Sequence, residues 1–284
     1  MKTPMTRPQA EKFVAPIIRK CLRDFGDFTR PDVTDEEFDA ATTDGLRPDV
    51  RRVSLLLTLA QEFLGPELAG EGLEVGCGYG YLILPLAQTF PHIHWTGVEH
   101  KGRKYFAREE FRARLRDSNC ELVGAYFVAE PLPFPDNHFS VATFSETLEH
   151  LPVERVNFVL SEISRVLRPG GILLASSPNQ AALENRLLLL RGKSILELPD
   201  EIATVKGIFG HIRLYTPAEV QTHLAKFGFT LQRLVLESNN SGNRGCGSGG
   251  LYRKLYRWYE RLEEKVSVLR RFGDTWYMVF RKNS

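Results

Sequence analysis

From residue 72 onward, short apolar runs alternate with longer segments of helical periodicity. Runs rich in Val, Ile, Leu and Phe predict strands at residues 72–76, 92–99, 139–145 and 170–178. The segments between them predict helices at residues 81–90, 101–117 and 153–167. Strands that alternate with helices form parallel sheets with helices on both faces. We therefore predict an α/β protein with a Rossmann-like, doubly wound and mostly parallel sheet.

The chain before this alternation predicts a helical addition. Residues 10–25 place Phe13, Ile17 and Leu22 at helical spacing, and an acidic, turn-rich stretch follows them. A second helix, predicted from residue 51, leads into the first strand. We assign residues 1–50 to an N-terminal accessory or lid segment.

The main domain is assigned to residues 51–284, with two insertions at about 182–210 and 239–272. The second insertion begins with a Gly- and Ser-rich loop and continues as an amphipathic helix over residues 251–272, which adds a helix near the C-terminus. One interpretation is a surface helix that covers the core. The alternative is a basic, aromatic-edged face that contacts a membrane or a lipid-linked acceptor.

Composition adds little evidence for a macromolecular partner. Hydrophobic residues make up 43% of the 284 residues, charged residues 25%, and the formal net charge is +2. A nearly neutral chain gives no support to nucleic-acid binding. The four cysteines form no CxxC pair, and His and Cys do not cluster in zinc-ligand spacing, so no metal is expected. No apolar leader and no run of about 18 apolar residues is present. We therefore expect a soluble, cytoplasmic protein.

The segment Glu-Val-Gly-Cys-Gly-Tyr-Gly carries the strongest chemical signal. It places Gly76, Gly78 and Gly80 between the first predicted strand and its helix. Such a turn lets the backbone approach a ligand and directs helix N–H groups at an anion. A dinucleotide-binding turn would have its third glycine at position 81, where this chain has bulky Tyr81. Glu74, inside the strand, suits a ligand that carries positive charge, since burying it unpaired would be costly.

Glu99 ends the second predicted strand, 23 residues after Gly76. A carboxylate at this place can accept hydrogen bonds from ribose hydroxyls. Together with the glycine turn it describes a ligand with a ribose, a carboxylate and a positive group but no phosphate. S-adenosylmethionine fits this description. A nicotinamide-dependent oxidoreductase would share the sheet and the ribose-binding acid, but Tyr81 and Glu74 oppose it.

The same motifs, in the same order, resemble the class I S-adenosylmethionine-dependent methyltransferases of the small-molecule type. Beyond the glycine turn, the resemblance includes residues 129–151 and 166–179 and resumes at 211–229. It implies a seven-stranded sheet, S-adenosylmethionine as cofactor and methyl transfer as the reaction. The cofactor contacts that it implies are at Glu74, Gly76, Cys77, Gly78, Gly80, Glu99, Ala129, Glu130 and Ser145.

One position departs from the family pattern. Val128 stands where members usually carry an Asp that meets the adenine amino group. We expect the Ala129 backbone or the Glu130 side chain to take this role, or adenine to bind more weakly by about 1 kcal/mol, the contribution of one hydrogen bond. A cofactor-binding subunit without catalysis is the alternative that Val128 raises.

Two histidines are candidates for the acceptor side. His150 follows the fourth strand of the resemblance and is the candidate general base, which is needed when a hydroxyl acceptor must lose a proton. His211 is the candidate for the acceptor pocket, or it only caps and packs there. The segments at 176–194 and 211–220 resemble methyltransferases associated with glycan and cell-surface polysaccharide synthesis. This resemblance favours O-methylation of a sugar or glycolipid, with a quinone, lipid or secondary metabolite as alternatives.

Overall fold

The structure, a computed structural model, describes residues 4–25, 35–65, 68–103, 106, 108–196, 210–238, 258–259, 262–263 and 265–284. Within these ranges the helices are α1 (Arg7–Phe25), α2 (Asp35–Phe63), α3 (Ile83–Thr89), α4 (Glu109–Asp117), α5 (Val156–Val166), α6 (Leu183–Leu190) and α7 (Pro217–Ala225). The strands are β1 (Gly70–Val75), β2 (Ile93–Glu99), β3 (Cys120–Gly124), β4 (Phe139–Ser145), β5 (Leu167–Pro178), β6 (Phe229–Glu237) and β7 (Thr275–Lys282). Short 3-10 turns cover Leu148–His150, Val153–Arg155 and Ser267–Phe272.

The strands form one seven-stranded sheet in the order β3-β2-β1-β4-β5-β7-β6. Strands β1 to β5 pair in parallel, whereas β7 runs antiparallel to both β5 and β6. The strand order reverses between β1 and β4, and ligands of such sheets bind at the carboxyl ends of the strands at this reversal. The predicted fold class is confirmed.

Buried apolar side chains form one cluster on each face of the sheet. The first cluster joins α1 to α4 to the sheet and includes Val14, Leu56, Ile83 and Phe111. The second joins α5 and α7 to the other face and includes Val159 and Leu224. Because both faces are covered, the central strands are nearly continuous apolar runs, as expected of a buried parallel sheet. Among the acids of the described strands, Glu74 and Glu99 stand out because their side chains are buried.

The N-terminal addition differs from its prediction. Helix α2 begins at Asp35, inside the stretch predicted to be turn-rich, and continues through Pro48 to Phe63. Acidic residues in the first turn stabilise a helix because their negative charge interacts favourably with the positive end of the helix dipole. The division placed at residue 50 therefore falls within a helix, and the accessory segment is continuous with the helix that precedes β1.

Two further predicted helices need comment. Helix α4 begins at Glu109 and not at Lys101, because a turn occupies residues 101–102. Of the amphipathic helix predicted at 251–272, residues 251–257, 260–261 and 264 lie outside the described residues. Residues 258–259, 262–263 and 265 are helical, and Ser267–Phe272 is a 3-10 turn. The membrane contact given as the alternative for this helix stays a prediction. Among the described residues, no helix combines the length and the apolar character needed to cross a membrane.

Candidate functional site

Three strand ends meet at the point where the sheet order reverses. Glu74 lies near the end of β1 and pairs in register with Gly97 of β2, two residues before Glu99. On the other side of β1, Glu74 pairs with Thr143, two residues before the end of β4. The two acids predicted to bind the cofactor are therefore neighbours at the carboxyl ends of adjacent strands.

The glycine turn after β1 has three residues in the left-handed region of backbone space. The φ angles are +77° at Gly76, +51° at Gly78 and +84° at Gly80. A Cβ on Gly76 would lie 2.5 Å from Thr147 Oγ1, so the turn packs directly against the chain after β4. A Cβ on Gly78 would have no described atom within 4 Å. Gly78 therefore leaves an open cradle that a side chain would fill.

The carboxylate of Glu99 connects the turn to β2. Its Oε2 accepts the N–H of Gly78 at 2.8 Å, and its Oε1 accepts the N–H of His100 at 2.7 Å. Glu99 is 6% exposed. Each carboxylate oxygen can accept more than one hydrogen bond, so Glu99 retains the acceptor capacity that the predicted ribose contact needs.

Glu74 is a buried acid with an unsatisfied oxygen. It is 4% exposed, and its Oε2 has no hydrogen-bond partner among the described residues. Burial raises the pKa of the Glu74 carboxyl well above its usual range, the Ile83 N–H opposes this, and the nearby Glu99 charge adds to it. A positively charged group would satisfy this oxygen and reverse the shift. The amino group of a methionine moiety has the required charge.

Cys77 contributes backbone to the turn, while its thiol packs into the protein. Its N–H donates to Val98 O at 3.1 Å. A Cβ built on Gly97 would lie 2.8 Å from the Cys77 sulfur, so the thiol fills the space that Gly97 leaves. Burial raises the pKa of the Cys77 thiol well above its ordinary value. The side chain is therefore a packing group and is unreactive.

The segment that follows β3 begins beside Glu99, whose carbonyl oxygen accepts the N–H of Ala125 at 3.0 Å. Ala129 and Glu130 are exposed, and their N–H groups both donate to Tyr126 O. Arg155 holds the segment in place, because its guanidinium donates to Val128 O at 2.6 Å and to Ala129 O at 3.0 Å. The Val128 side chain packs against the second apolar cluster. The adenine contacts expected at Ala129 and Glu130 stay predictions.

The chain after β4 carries a second group of polar side chains. Ser145 Oγ lies 2.8 Å from Ser176 Oγ of β5, and Ser176 donates to Glu146 Oε1 at 2.9 Å. Glu146 adopts φ +49°, a left-handed conformation that is uncommon for a residue other than glycine. Such strained positions concentrate at functional sites.

Helix α2 reaches this edge through an ion pair that the sequence analysis missed. Arg52 Nη2 lies 2.7 Å from Asp49 Oδ1, and Arg52 Nη1 lies 3.6 Å from Glu146 Oε2. Helix α2 therefore contacts the chain at the end of β4. No local motif predicts the contact of Arg52 with Glu146, because Asp49 and Arg52 alone predict only an ion pair at i, i+3 of a helix.

His150 and His211 lie side by side, together with the buried Glu149. The ring centroids of the two histidines are 5.0 Å apart. His150 Nδ1 lies 3.3 Å from Gly210 O, and His150 Nε2 lies 3.9 Å from Glu149 Oε1. Burial, followed by the charge of Glu146, raises the pKa of Glu149 to about 8. The structure thus brings together the two histidines predicted for the acceptor side. It also places the buried Glu149 carboxyl between His150 and Ser177 of β5.

The residues present fit S-adenosylmethionine. The open cradle at Gly78 would let the backbone approach the cofactor. The Glu99 carboxylate beside it suits the ribose, and the unsatisfied oxygen of Glu74 suits the amino group. Glu74, Gly78 and Glu99 would hold the cofactor. Gly76 and Gly80 shape the turn, the first against Thr147 and the second against Leu84.

Comparison with known proteins agrees with this assignment. Residues 73–175 match the family described as Methyltransferase domain. The 27-O-demethylrifamycin SV methyltransferase of Amycolatopsis mediterranei is 36% identical over 124 residues, which cover 42% of this chain and 44% of that relative. The ubiquinone biosynthesis O-methyltransferase of Thiobacillus denitrificans is 28% identical over 171 residues, which cover 59% of this chain and 68% of that relative. The chain thus spans less than half of the rifamycin relative's length.

Solved structures agree on the fold. A S-adenosylmethionine-dependent methyltransferase from Methanosarcina mazei superimposes with a TM-score of 0.55 at 19% identity, over 79% of this chain and 97% of that chain. At this identity the likeness shows the fold alone. The family match covers 103 of the chain's 284 residues. Residues 73–175 are thus similar to a methyltransferase domain, and the fold of the chain is similar to that of an S-adenosylmethionine-dependent methyltransferase.

Proposed function

We propose that the protein is an enzyme that transfers the methyl group of S-adenosylmethionine to a hydroxyl oxygen of a small molecule. The observation that carries the proposal is the pair of acids at the strand ends. Glu74 has a buried oxygen without a described partner, and Glu99 is bonded to the open Gly78. The names of the two relatives support the reaction class, since both are methyltransferases and one name specifies oxygen.

The cofactor supplies an activated methyl group on a positively charged sulfur. The chain's own residues bind and orient it: Glu74 faces its amino group, Glu99 its ribose hydroxyls, and Gly78 allows close backbone approach. Positioning is the main contribution, because well-oriented reactants remove roughly 7–11 kcal/mol of a barrier. The acceptor hydroxyl must also lose a proton, and His150 is the nearest predicted base at the edge of β4.

We propose a sugar or glycolipid as the acceptor class. Several described side chains around the end of β4 are charged or hydrogen-bonding, and they include Arg52, Glu146, Glu149, His150 and His211. Such a surface suits a molecule with several hydroxyl groups better than a flat apolar ring, because buried polar groups need hydrogen-bond partners. Quinones, lipids and other secondary metabolites are the alternative acceptors. Nucleic acid is not proposed as a partner.

The test is methyl transfer from S-adenosylmethionine with a tritiated methyl group to a panel of acceptors. The panel contains methyl glycosides, a glycolipid, a catechol, a hydroquinone and a fatty acid, and mass spectrometry locates the added methyl. We expect transfer to an oxygen of a glycoside or glycolipid, and none with the Glu99→Gln variant. Transfer to the catechol or hydroquinone alone would keep the reaction and replace the acceptor class. Tight cofactor binding without transfer to any acceptor would favour a non-catalytic subunit.

A further inference from the structure

Glu149, His150 and His211 surround one point at the carboxyl end of β4. Each residue offers one potential metal-ligand atom, and these three atoms lie within 4.8 Å of one another. Two ligands on opposite sides of a first-row metal ion are about 4.2 Å apart, twice a bond of ~2.1 Å. The three side chains therefore need only small movements to share one ion. The sequence analysis expected no metal, because it found no His and Cys residues in zinc-ligand spacing, and residue 211 is far from 149 and 150 along the chain.

The backbone holds this cluster together. Leu148–His150 forms a 3-10 turn directly after β4, which places Glu149 and His150 next to each other. The carbonyl oxygen of Glu149 accepts the N–H groups of Ile212 at 2.8 Å and of Arg213 at 3.3 Å. These bonds fix the segment that carries His211 beside the turn. Main-chain hydrogen bonds therefore hold the two segments of the cluster together, whatever the conformations of their side chains.

The Glu149 carboxylate is unsatisfied on the side that faces the cluster. Glu149 is 1% exposed, and its Oε2 accepts a hydrogen bond from Ser177 Oγ at 2.9 Å. Its Oε1, the atom 3.9 Å from His150 Nε2, has no hydrogen-bond partner among the described residues. A buried carboxylate oxygen without a partner is costly, and a cation between Oε1 and Nε2 would satisfy it.

The hydrogen bonding of His150 is that of a metal ligand. A carbonyl oxygen can only accept, so the contact between His150 Nδ1 and Gly210 O places the proton on Nδ1. In the neutral imidazole the lone pair is then on Nε2, which lies 3.9 Å from Glu149 Oε1. Metal-binding histidines are commonly oriented in this way, with the second ring nitrogen donating to a carbonyl or a carboxylate. The partner of the carboxylate, Ser177, has the same orienting effect on Glu149.

We propose that Glu149, His150 and His211 bind a divalent first-row transition metal ion that coordinates the acceptor's hydroxyl oxygen. Two imidazoles and one carboxylate suit zinc, manganese or iron better than magnesium, which prefers oxygen ligands alone. Three protein ligands leave coordination positions open, as in catalytic sites. The role in acceptor binding rests on the proposed function, whereas the binding of the ion does not.

The ion would replace a general base in the methyl transfer. Coordination lowers the pKa of the acceptor hydroxyl, so its proton can leave to water. The oxygen then forms a bond to the methyl carbon, while the carbon–sulfur bond breaks and its electron pair goes to sulfur. The positive charge of the sulfur is lost, and no oxidant or reductant is required. In this arrangement His150 is a ligand and not the base that the sequence predicted. Acceptors with two adjacent hydroxyl groups fit best, because both oxygens can reach the ion.

The test is calorimetric titration of the tag-free, chelator-treated full chain with Zn²⁺ and with Mn²⁺, in the absence of cofactor. We expect one site per chain, at least tenfold weaker binding in Glu149→Gln and in His211→Asn, and weak binding of Mg²⁺. His94→Asn is the matched control, because His94 also contacts a glutamate, Glu71, at 3.0 Å, but lies outside this cluster. The control should bind the ion as the unaltered protein does.

Each result bears on one claim only, because S-adenosylhomocysteine binding is measured on the same samples. Variants that bind S-adenosylhomocysteine normally are folded, so their loss of metal binding supports the site. A chain that binds S-adenosylhomocysteine but no metal with one-to-one stoichiometry overturns the metal inference and leaves the proposed function. A chain that binds the metal but not S-adenosylhomocysteine overturns the proposed function. Equal losses in Glu149→Gln and His94→Asn would also overturn the metal site.

Discussion

The cradle at Gly78 allows a substitution that separates cofactor binding from folding. A Cβ at this position would have no described atom within 4 Å, so Gly78→Ala adds a methyl group to open space. If the cofactor occupies that space, the methyl group lies where the ligand must approach. We therefore expect Gly78→Ala to weaken cofactor binding strongly while the fold is retained.

The structure gives the size of both effects. Gly78 has φ +51°, and placing an ordinary residue in the left-handed region costs about 1–2 kcal/mol. At about 2–4 °C per kcal/mol for chains of this size, the melting temperature should fall by about 2–8 °C. Overpacking of a close-fitting contact costs about 1–3 kcal/mol. Converted at about 1.4 kcal/mol per factor of ten, this weakens binding roughly 5- to 150-fold.

The assay combines thermal unfolding with calorimetric titration by S-adenosylhomocysteine. Gly170→Ala is the matched control, because Gly170 also has positive φ, +76°, and no described atom within 4 Å of its Cβ position, but lies near the amino end of β5. It should lose similar stability and keep full affinity. Gly76→Ala should lose more stability than either, since its Cβ would lie 2.5 Å from Thr147 Oγ1. Unchanged affinity in Gly78→Ala would refute the assignment of the cradle.

Three further predictions concern the same site. Burial raises the pKa of Glu74, and its carboxyl attracts an ammonium group only when it is ionised, so affinity for S-adenosylhomocysteine should rise with pH. The rise should disappear in Glu74→Gln. It should also be absent with methylthioadenosine, which lacks the amino group. Arg155→Ala should raise the Kd for S-adenosylhomocysteine about three- to tenfold. This is a smaller loss than the ~1.5–3 kcal/mol of a hydrogen bond to a charged group, because Arg155 is expected to act on the ligand indirectly, through Val128 O and Ala129 O. An unchanged Kd by calorimetry would contradict this. Iodoacetamide at pH 8 should leave Cys77 unmodified in the native protein, because burial raises the pKa of its thiol, and should modify it in denaturant. Peptide mass mapping measures the modification.

The sheet and the cofactor turn were predictable because they depend on local sequence. Apolar runs of strand length, separated by helical segments, give a parallel sheet by general rules of chain connection. The turn at Gly76–Gly80 and Glu99 could be placed because both follow directly from the ends of predicted strands. The structure confirms the fold and brings Glu74, Gly78 and Glu99 together at one edge.

Contacts between distant segments could not be read from the sequence. The pairing of Arg52 with Glu146 depends on how α2 crosses the sheet edge, which no local pattern determines. The cluster of Glu149 with His211 depends on a backbone contact between residues 149 and 212. The start of α2 at Asp35 was not predictable from its residues, because acidic residues followed by Thr and Gly are typical of turns, whereas acids also favour helix starts.

The central claim is that the acids of β1 and β2 and the glycine turn bind S-adenosylmethionine. Calorimetric titration of the purified chain with S-adenosylhomocysteine, with NAD as a second ligand and Glu99→Gln as a second protein, tests it most directly. We predict one-to-one binding of S-adenosylhomocysteine that is largely lost in Glu99→Gln, and no binding of NAD. Binding of NAD without S-adenosylhomocysteine, or equal affinity of the two proteins for S-adenosylhomocysteine, would contradict the account.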